Sequence, residues 1–435
     1  MRVLLIAEQC NPEWVSVPLV GWSHSRAIAA KTDAHLVTQV RNRDAILRAG
    51  LREGADFTAI NSEAIEGRIY RLADRLRGGT NKGWTLVTGL AALSYPYFEH
   101  LIWEKFGRRI RGGEFDLVHR ITPLSPTTPS LLAPRCREAG VPFVLGPLNG
   151  GVPWPKHFDS ARRKEKEWLS YVRDAYKLLP GYHSTRGAAS AILIGSRDTW
   201  RQMPGSYLPK CIYLPENAID PQRFQHRRTR QASRPIRCAF IGRLVPYKGA
   251  DMLLEAAAPL VREGKLTIEI IGDGPQKPDL KAMISRERIE AGVTLAGWIE
   301  HAKLQDRLRA NDLFTFPSIR EFGGGVALEA MAVGVPPVVI DYGGPAELVN
   351  DRTGWLLPMG SRGQIVDRLR ALLSDLADRP QMIDAKSMAA YERAHRLFTW
   401  DAKAEQAIAV YQWVLDPTLP KPDFGMPLFD PLEKK

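Results

Sequence analysis

Short aliphatic runs alternate along this chain with segments whose apolar positions recur at helical spacing. The first half carries VLLIA, AHLVTQV, FDLVHRI, PFVLG and AILIG, and the second restarts with IRCAFIG, LTIEIIG, VTLAG, DLFTFPS and PPVVID. Most of these runs are followed by a loop rich in Gly or Pro and then by a helical pattern. A helix that returns the chain to the same end of a sheet produces this alternation, so it predicts parallel sheets flanked by helices. Because the pattern restarts midway, two doubly wound α/β domains are the economical reading.

The first domain is predicted over residues 1–205 and the second over 236–398. Between them YLPENAIDPQRF passes into the basic stretch HRRTRQASR, which reads as an exposed hinge over 206–235. After Trp400, residues Ala404, Ala407, Tyr411 and Val414 fall at helical intervals, giving a last helix over 399–415 and a Pro-rich, irregular tail over 416–435.

Composition adds bounds. The 435 residues are 44% hydrophobic and 25% charged, which suits globular domains with ample cores and excludes extensive disorder. Cys10, Cys136, Cys211 and Cys238 are scattered without CxxC spacing, so neither a zinc site nor a disulfide framework is indicated. Met1 leads straight into RVLLIA with no cationic or long apolar leader, which points to the cytoplasm. The most apolar stretch, Trp84 to Phe106, is interrupted by Gly89, Pro96, Glu99, His100, Glu104 and Lys105 and does not read as a membrane span. The net charge is +12, and residues 1–200 hold 28 Lys and Arg against 19 Asp and Glu. A basic first half suits an anionic membrane surface, a phosphorylated substrate or nucleic acid.

Two motifs carry candidate chemistry. In FPSIREFGGGVALEAMAVGVP, seven residues separate Glu321 from Glu329, and Gly323, Gly324 and Gly325 stand where a loop gives way to a helix. Glycines let backbone approach a ligand, and a helix start presents free N–H groups and a positive dipole end. A carboxylate accepts from two hydroxyls at once, so this pair suits a polyol. A helix-start charge and a packing Glu would give the same spacing. In FIGRLVPYKG, Arg243 and Lys248 follow a strand's carboxyl end, where open α/β sheets bind ligands, and together they would clamp a diphosphate. A solvated basic turn is the alternative.

These residues resemble the retaining glycosyltransferases of the two-Rossmann (GT-B) type, family 4, also described as glycosyl transferases group 1. The similarity runs over about residues 236–415 and includes, in the family's order, IIGDGP at 270–275, VTLAGW at 293–298, GGPAELV at 343–349 and TGWLL at 353–357. The resemblance implies two Rossmann-like domains facing a central cleft, with the last helix crossing back to the first. It also implies transfer of a hexose-type sugar from a UDP- or GDP-sugar to a hydroxyl of a saccharide or lipid-linked acceptor, in polysaccharide or glycolipid synthesis. Arg243 and Lys248 would bind the donor diphosphate, Glu329 the ribose, Glu321 the transferred sugar, and Gly323–Gly325 would complete the pocket. Where many members read Glu-x-Phe-Gly, this chain reads Glu-Phe-Gly-Gly-Gly, so Phe322 comes one place early and the loop contacts are not carried over.

Asp273 in IIGDGP either borders the base or makes an Asx turn. The amino-terminal half is matched more loosely. Gly21, read as part of a first loop, would bring a helix start towards the donor phosphates, and Asn149, Gly150 and Gly151 form a close-approach loop on the acceptor side. His119, read as ending the strand FDLVH, is a candidate polar contact at the reacting centre. Many family members place a histidine two residues on, where this chain has Ile121.

No Asp-x-Asp and no histidine pair with metal-ligand spacing occurs, so no metal or other cofactor is expected, and Arg243 and Lys248 would supply the positive charge. Retention in this family is explained by front-face attack without an enzyme nucleophile. Two stretches suit an interfacial helix at an anionic membrane or, equally, a core helix with a solvated basic side: 85–113, and 156–179 with Arg162, Arg163, Lys164, Lys166, Trp168 and Tyr171. No nucleic-acid-binding signature appears. The rival readings are a sugar-nucleotide epimerase or phosphorylase on the same fold, and a non-catalytic sugar-nucleotide-binding or assembly protein.

Overall fold

Two parallel sheets, each covered by helices on both faces, account for the alternation. The computed structural model describes residues 1–63, 84–150, 152–155, 158, 175–178 and 181–426, with backbone alone for 84–93, 175–176 and 301–302. These residues fall into two compact units, one drawn from Met1–Gly151, Arg162–Glu216 and Trp400–Lys435, the other from Val152–Ala161 and Asn217–Thr399.

The first unit holds strands β1 (Arg2–Ala7), β2 (Asp33–Gln39), β3 (Phe57–Ile60), β4 (Leu117–Thr122), β5 (Phe143–Leu148), β6 (Ala191–Ile194) and β7 (Cys211–Tyr213). They lie in the order β3-β2-β1-β4-β5-β6-β7, and the pairs are parallel. Only Arg2 of β1 is exposed, while β4 and β5 are wholly buried, as a sheet covered on both faces requires. Side chains alternate across that sheet. Leu4, Ile6 and Val118 pack with Tyr95, Phe98, Ile102, Phe106 and Ile110 of the helix Trp84–Arg111. Val3, Leu5 and Leu117 face Ile28 of the helix Val17–Ala29 and Ala404, Ala407, Val410 and Tyr411 of the helix Trp400–Leu415. Each fully buried ring such as Phe98 contributes about 1.5–3 kcal/mol of burial free energy.

The second unit repeats the plan with β8 (Ile236–Ile241), β9 (Leu266–Ile271), β10 (Val293–Gly297), β11 (Leu313–Phe316), β12 (Pro337–Ile340) and β13 (Trp355–Leu357), in the order β10-β9-β8-β11-β12-β13. Counted from its own first strand, this is the order of the first six strands of the other unit. The helix Ala250–Arg262 buries Met252, Leu253, Leu254, Ala256 and Ala257 and packs against Arg362–Asp378, whose start is fixed by a capping box between Ser361 and Gln364.

Residues 206–235 do not form one exposed hinge. Cys211–Tyr213 pairs with β6 as the last strand of the first sheet, and from Asn217 the chain belongs to the second unit. There the Arg228 side chain is 2% exposed and ion-paired with Asp312 at 2.7 Å and with Asp384. Basic composition suggested solvent, whereas the buried Asp312 and the partly exposed Asp384 draw the stretch in. The helix Trp84–Arg111 is core-facing, with Arg108, Arg109 and Arg111 exposed at its basic end. Arg162, Arg163, Lys164, Lys166, Trp168 and Tyr171 of the second candidate interfacial stretch lie outside the described residues, as do 427–435 of the tail. Among the described residues, no helix is long and apolar enough to cross a membrane.

Candidate active site

In a doubly wound sheet the crevice opens beyond the strands' carboxyl ends where the strand order reverses. In the second unit that point lies between β8 and β11. The loop after β8 carries Arg243 and Lys248, and the loop after β11 carries Glu321 and Gly323, so topology alone brings the two motifs together. Backbone bonds then fix the loops. Ile319 N donates to Tyr247 O at 2.9 Å, and Gly344 N donates to Glu321 O at 3.0 Å.

The Lys248 ammonium is ion-paired with the Glu321 carboxylate, and the two side chains are only 16% and 22% exposed. Its Nζ lies 5.2 Å from the Phe316 ring centre and 5.8 Å from that of Tyr247, cation–π distances that keep the charge at the loop crossing. An ammonium has three donors and Glu321 occupies one direction, so the others can serve an incoming anion. Arg243 is exposed, and among the described residues its guanidinium has no hydrogen-bond or ion-pair partner. Gly324 caps the helix Gly325–Ala332 at φ 69°, and a Cβ there would stand 2.8 Å from Pro345. Only glycine fits this helix start. Glu329 sits half-buried on the same helix, one turn in.

A further cluster borders Glu321. The Arg320 guanidinium lies 4.9 Å from the Trp154 ring centre and 5.3 Å from that of Phe322, and its Nε donates to Val152 O at 3.4 Å. Trp154 meets Tyr247 edge-on at 5.9 Å, and Tyr342 Oη donates to Pro153 O at 2.8 Å. The segment Val152–Pro155 is far from this loop in sequence, so nothing short of the fold places it here. Its one legible sign is a tryptophan between two prolines.

Other predicted residues sit differently. Asp273 Oδ1 accepts from Gly274 N at 2.7 Å and Oδ2 from Lys277 at 2.7 Å, a turn arrangement that holds its carboxyl below the usual range, chiefly through Lys277. In the first unit, Gly21 is inside the helix Val17–Ala29 rather than in a loop. A Cβ on it would come within 2.0 Å of Gln9 O, so glycine here serves helix packing. Asn149 is buried and donates to Glu216 at 2.6 Å, and Gly150 is half-buried at φ 151°. Gly151 lies outside the described residues.

His119 lies inside β4, not at its end, and is fully buried. One ring nitrogen bonds Tyr411 Oη at 2.5 Å and the other Gly146 O at 2.7 Å. Burial lowers its pKa to about 4, and that of neighbouring His24 to about 3. Both rings are therefore neutral at physiological pH. All four cysteines are buried thiols, with burial raising Cys238 to about 12 and Cys211 to about 11. Among the described residues, no three His, Cys, Asp or Glu side chains could hold a metal ion together.

Two doubly wound units, the second carrying Arg243, Lys248 and Glu321 in the loops after β8 and β11, match the two-Rossmann architecture of glycosyltransferases. Residues 221–388 match the family described as Glycosyl transferases group 1. The chain is 30% identical over 215 residues to the alpha-D-kanosaminyltransferase of Streptomyces kanamyceticus, covering 46% of this chain and 55% of that protein. It is 28% identical over 300 residues to a GDP-mannose-dependent monoacylated alpha-(1-6)-phosphatidylinositol monomannoside mannosyltransferase of Corynebacterium glutamicum, covering 65% and 73%. The chain spans about half the length of the first curated relatives it matches. In fold it matches the crystal structure of Anabaena Alr3699/HepE in complex with UDP, with a TM-score of 0.59, 16% identity, and 95% and 100% of the two chains covered.

Proposed function

We propose that the protein is a retaining, metal-independent glycosyltransferase that moves a hexose-type sugar from a UDP- or GDP-sugar to a hydroxyl of a saccharide or lipid-linked acceptor. The observation that carries this reading is the Lys248–Glu321 pair, held with Arg243 at the switch-point loops beside the glycine-opened helix start. Support comes also from relatives named as sugar transferases and from a fold neighbour crystallised with UDP.

On this reading the diphosphate lies across Arg243 and Lys248, with its charge also facing the N–H groups that open the helix Gly325–Ala332. Lys248 shares its donors between Glu321 and the departing phosphate. Stabilising that leaving group is the main electrostatic task of the reaction. Glu321, fixed by Lys248 and by its own backbone bond, accepts from hydroxyls of the transferred sugar, and Glu329 accepts from the ribose diol. The leaving phosphate oxygen takes the acceptor proton on the same face, so no enzyme nucleophile is needed. His119, neutral and held on both sides, serves to tie β4 to the helix Trp400–Leu415. The work takes place in the cytoplasm, with contact to an anionic membrane where the acceptor is lipid-linked.

The test is release of free UDP or GDP from a donor panel with saccharide acceptors, with the product anomer read by NMR. The α-anomer is expected from an α-linked donor. Lys248→Ala should slow transfer by about 100-fold or more, and Glu329→Ala should weaken donor binding. Wild-type turnover by both variants, or an inverted product, would overturn the assignment. Donor binding without turnover would favour a non-catalytic sugar-nucleotide-binding protein.

A further inference from the structure

The basic stretch 225–234 holds more cations than its docking uses. Arg228 reaches Asp312 at 2.7 Å and also Asp384, Arg230 binds Asp312 as well, and Arg228 N donates to Val333 O at 2.8 Å. Ala232 N donates to the Asp384 carboxylate at 3.1 Å, and Arg234 Nε donates to Ala377 O at 2.6 Å with its guanidinium also paired to Asp378. Arg227 and Thr229, on either side of the anchored Arg228, instead line a groove of about 730 Å³ together with Arg230, Arg309, Met388 and Tyr391. Asp312 immediately precedes β11, so this groove borders the amino ends of the second sheet. Lys248 and Glu321 lie at its carboxyl ends, and the two places are distinct.

Arg227 is held in readiness. Its stem lies over Gly334, where a Cβ would stand 2.6 Å from Cγ and 3.1 Å from Cδ, and Gly334 has φ 71°. Among the described residues its guanidinium has no hydrogen-bond or ion-pair partner. Arg309 holds Asp306 at 3.0 Å in an exposed pair, a weak contact that an incoming anion can share. Among the described residues, Asp306 is the one acid lining the groove, against three guanidinium groups. Guanidinium forks match the oxygens of a phosphate. The same groove offers Met388, 45% exposed, and the Tyr391 ring, which meets the His395 ring at 4.1 Å in a tilted contact with 33° between the planes. Its volume falls in the range of about 300–1,000 Å³ usual for small-molecule sites.

We propose that this groove is a second ligand site, taking a phosphate monoester carried on an organic ring, with the phosphate on Arg227 and Arg309 and the ring against Tyr391 and Met388. Occupancy there does not require the switch-point loops of β8 and β11.

Calorimetric titration of the whole chain with glucose 6-phosphate, AMP and inorganic phosphate tests this, in wild type and in a Lys248→Ala background. At least one ring phosphate should bind both proteins alike. Arg227→Ala and, separately, Arg309→Ala should each weaken it about 10-fold or more, as loss of a charged hydrogen bond does. Tyr391→Ala should weaken the ring phosphate but leave inorganic phosphate unchanged. Failure of both ring phosphates to bind, loss of binding with Lys248→Ala, or indifference to both arginine changes would overturn the proposal. So would binding to phosphatidic acid vesicles that depends on Arg227 when neither soluble ring phosphate binds.

Discussion

Lowering the pH from 7 to 5 should destabilise the first unit through two buried histidines. His24 and His119 are fully buried, with folded-state pKa values of about 3 and about 4 against 6.5 for an exposed ring. Burial is the largest cause for both. His119 and Lys403 add repulsion at His24, and Arg120 adds it at His119. Because the folded pKa is depressed, the neutral ring's contribution is complete above pH 6.5 and is lost as the pH falls towards 4 and 3. Protonation of the unfolded chain between pH 7 and 5 costs the fold about 2 kcal/mol per histidine, roughly 4 kcal/mol for the pair. At about 2–4 °C per kcal/mol for a unit of this size, the melting temperature should drop by roughly 8–16 °C. Calorimetry gives the drop, and hydrogen exchange along Trp400–Leu415, whose Tyr411 bonds His119, locates it. The double variant His24→Gln, His119→Gln removes both titrations, so most of the drop should vanish. An equal drop in wild type and double variant would refute the reasoning.

Gly324→Ala puts a side chain at φ 69° and within 2.8 Å of Pro345. A penalty on the order of 1–2 kcal/mol for the left-handed backbone should displace the helix start and raise the donor KM about tenfold, measured by steady-state kinetics. Arg320→Ala removes the cation between Trp154 and Phe322, and kcat should fall several-fold while the melting temperature moves little, with Arg320→Lys recovering part of the loss. Arg228→Met takes one of three donors from the buried Asp312 carboxylate, leaving Arg230 and the Arg237 amide, and urea unfolding should report a loss of about 3–5 kcal/mol in the second unit.

Much of the second unit was legible in the sequence because its signals are local. Each aliphatic run from IRCAFIG to PPVVID became a strand of the second sheet, and the glycines before Val326 mark a helix start whose backbone admits no side chain. The place of Arg243, Lys248 and Glu321 at the switch-point loops was readable because each follows a strand's carboxyl end, a rule that needs topology alone. What escaped depends on partners distant in sequence. Arg228 looked solvated until Asp312 and Asp384 were seen beneath it. His119 looked catalytic by type, but Tyr411, 292 positions away, occupies its ring. Gly21 looked like a phosphate loop, and the Gln9 carbonyl explains it instead. The aromatic brace of Trp154 on Arg320 has no counterpart in spacing or composition.

The most direct test of the central claim is a thermal-shift panel of UDP-, GDP-, ADP- and dTDP-sugars against wild type and Lys248→Ala. A ligand at 100 times its Kd stabilises the fold by about 2.7 kcal/mol, a shift well above the noise of the method. A shift with one nucleotide, lost in the variant, is the predicted result and names the base. A shift of equal size in Lys248→Ala, or none with any nucleotide sugar, would contradict the donor site placed at the switch point of the second sheet.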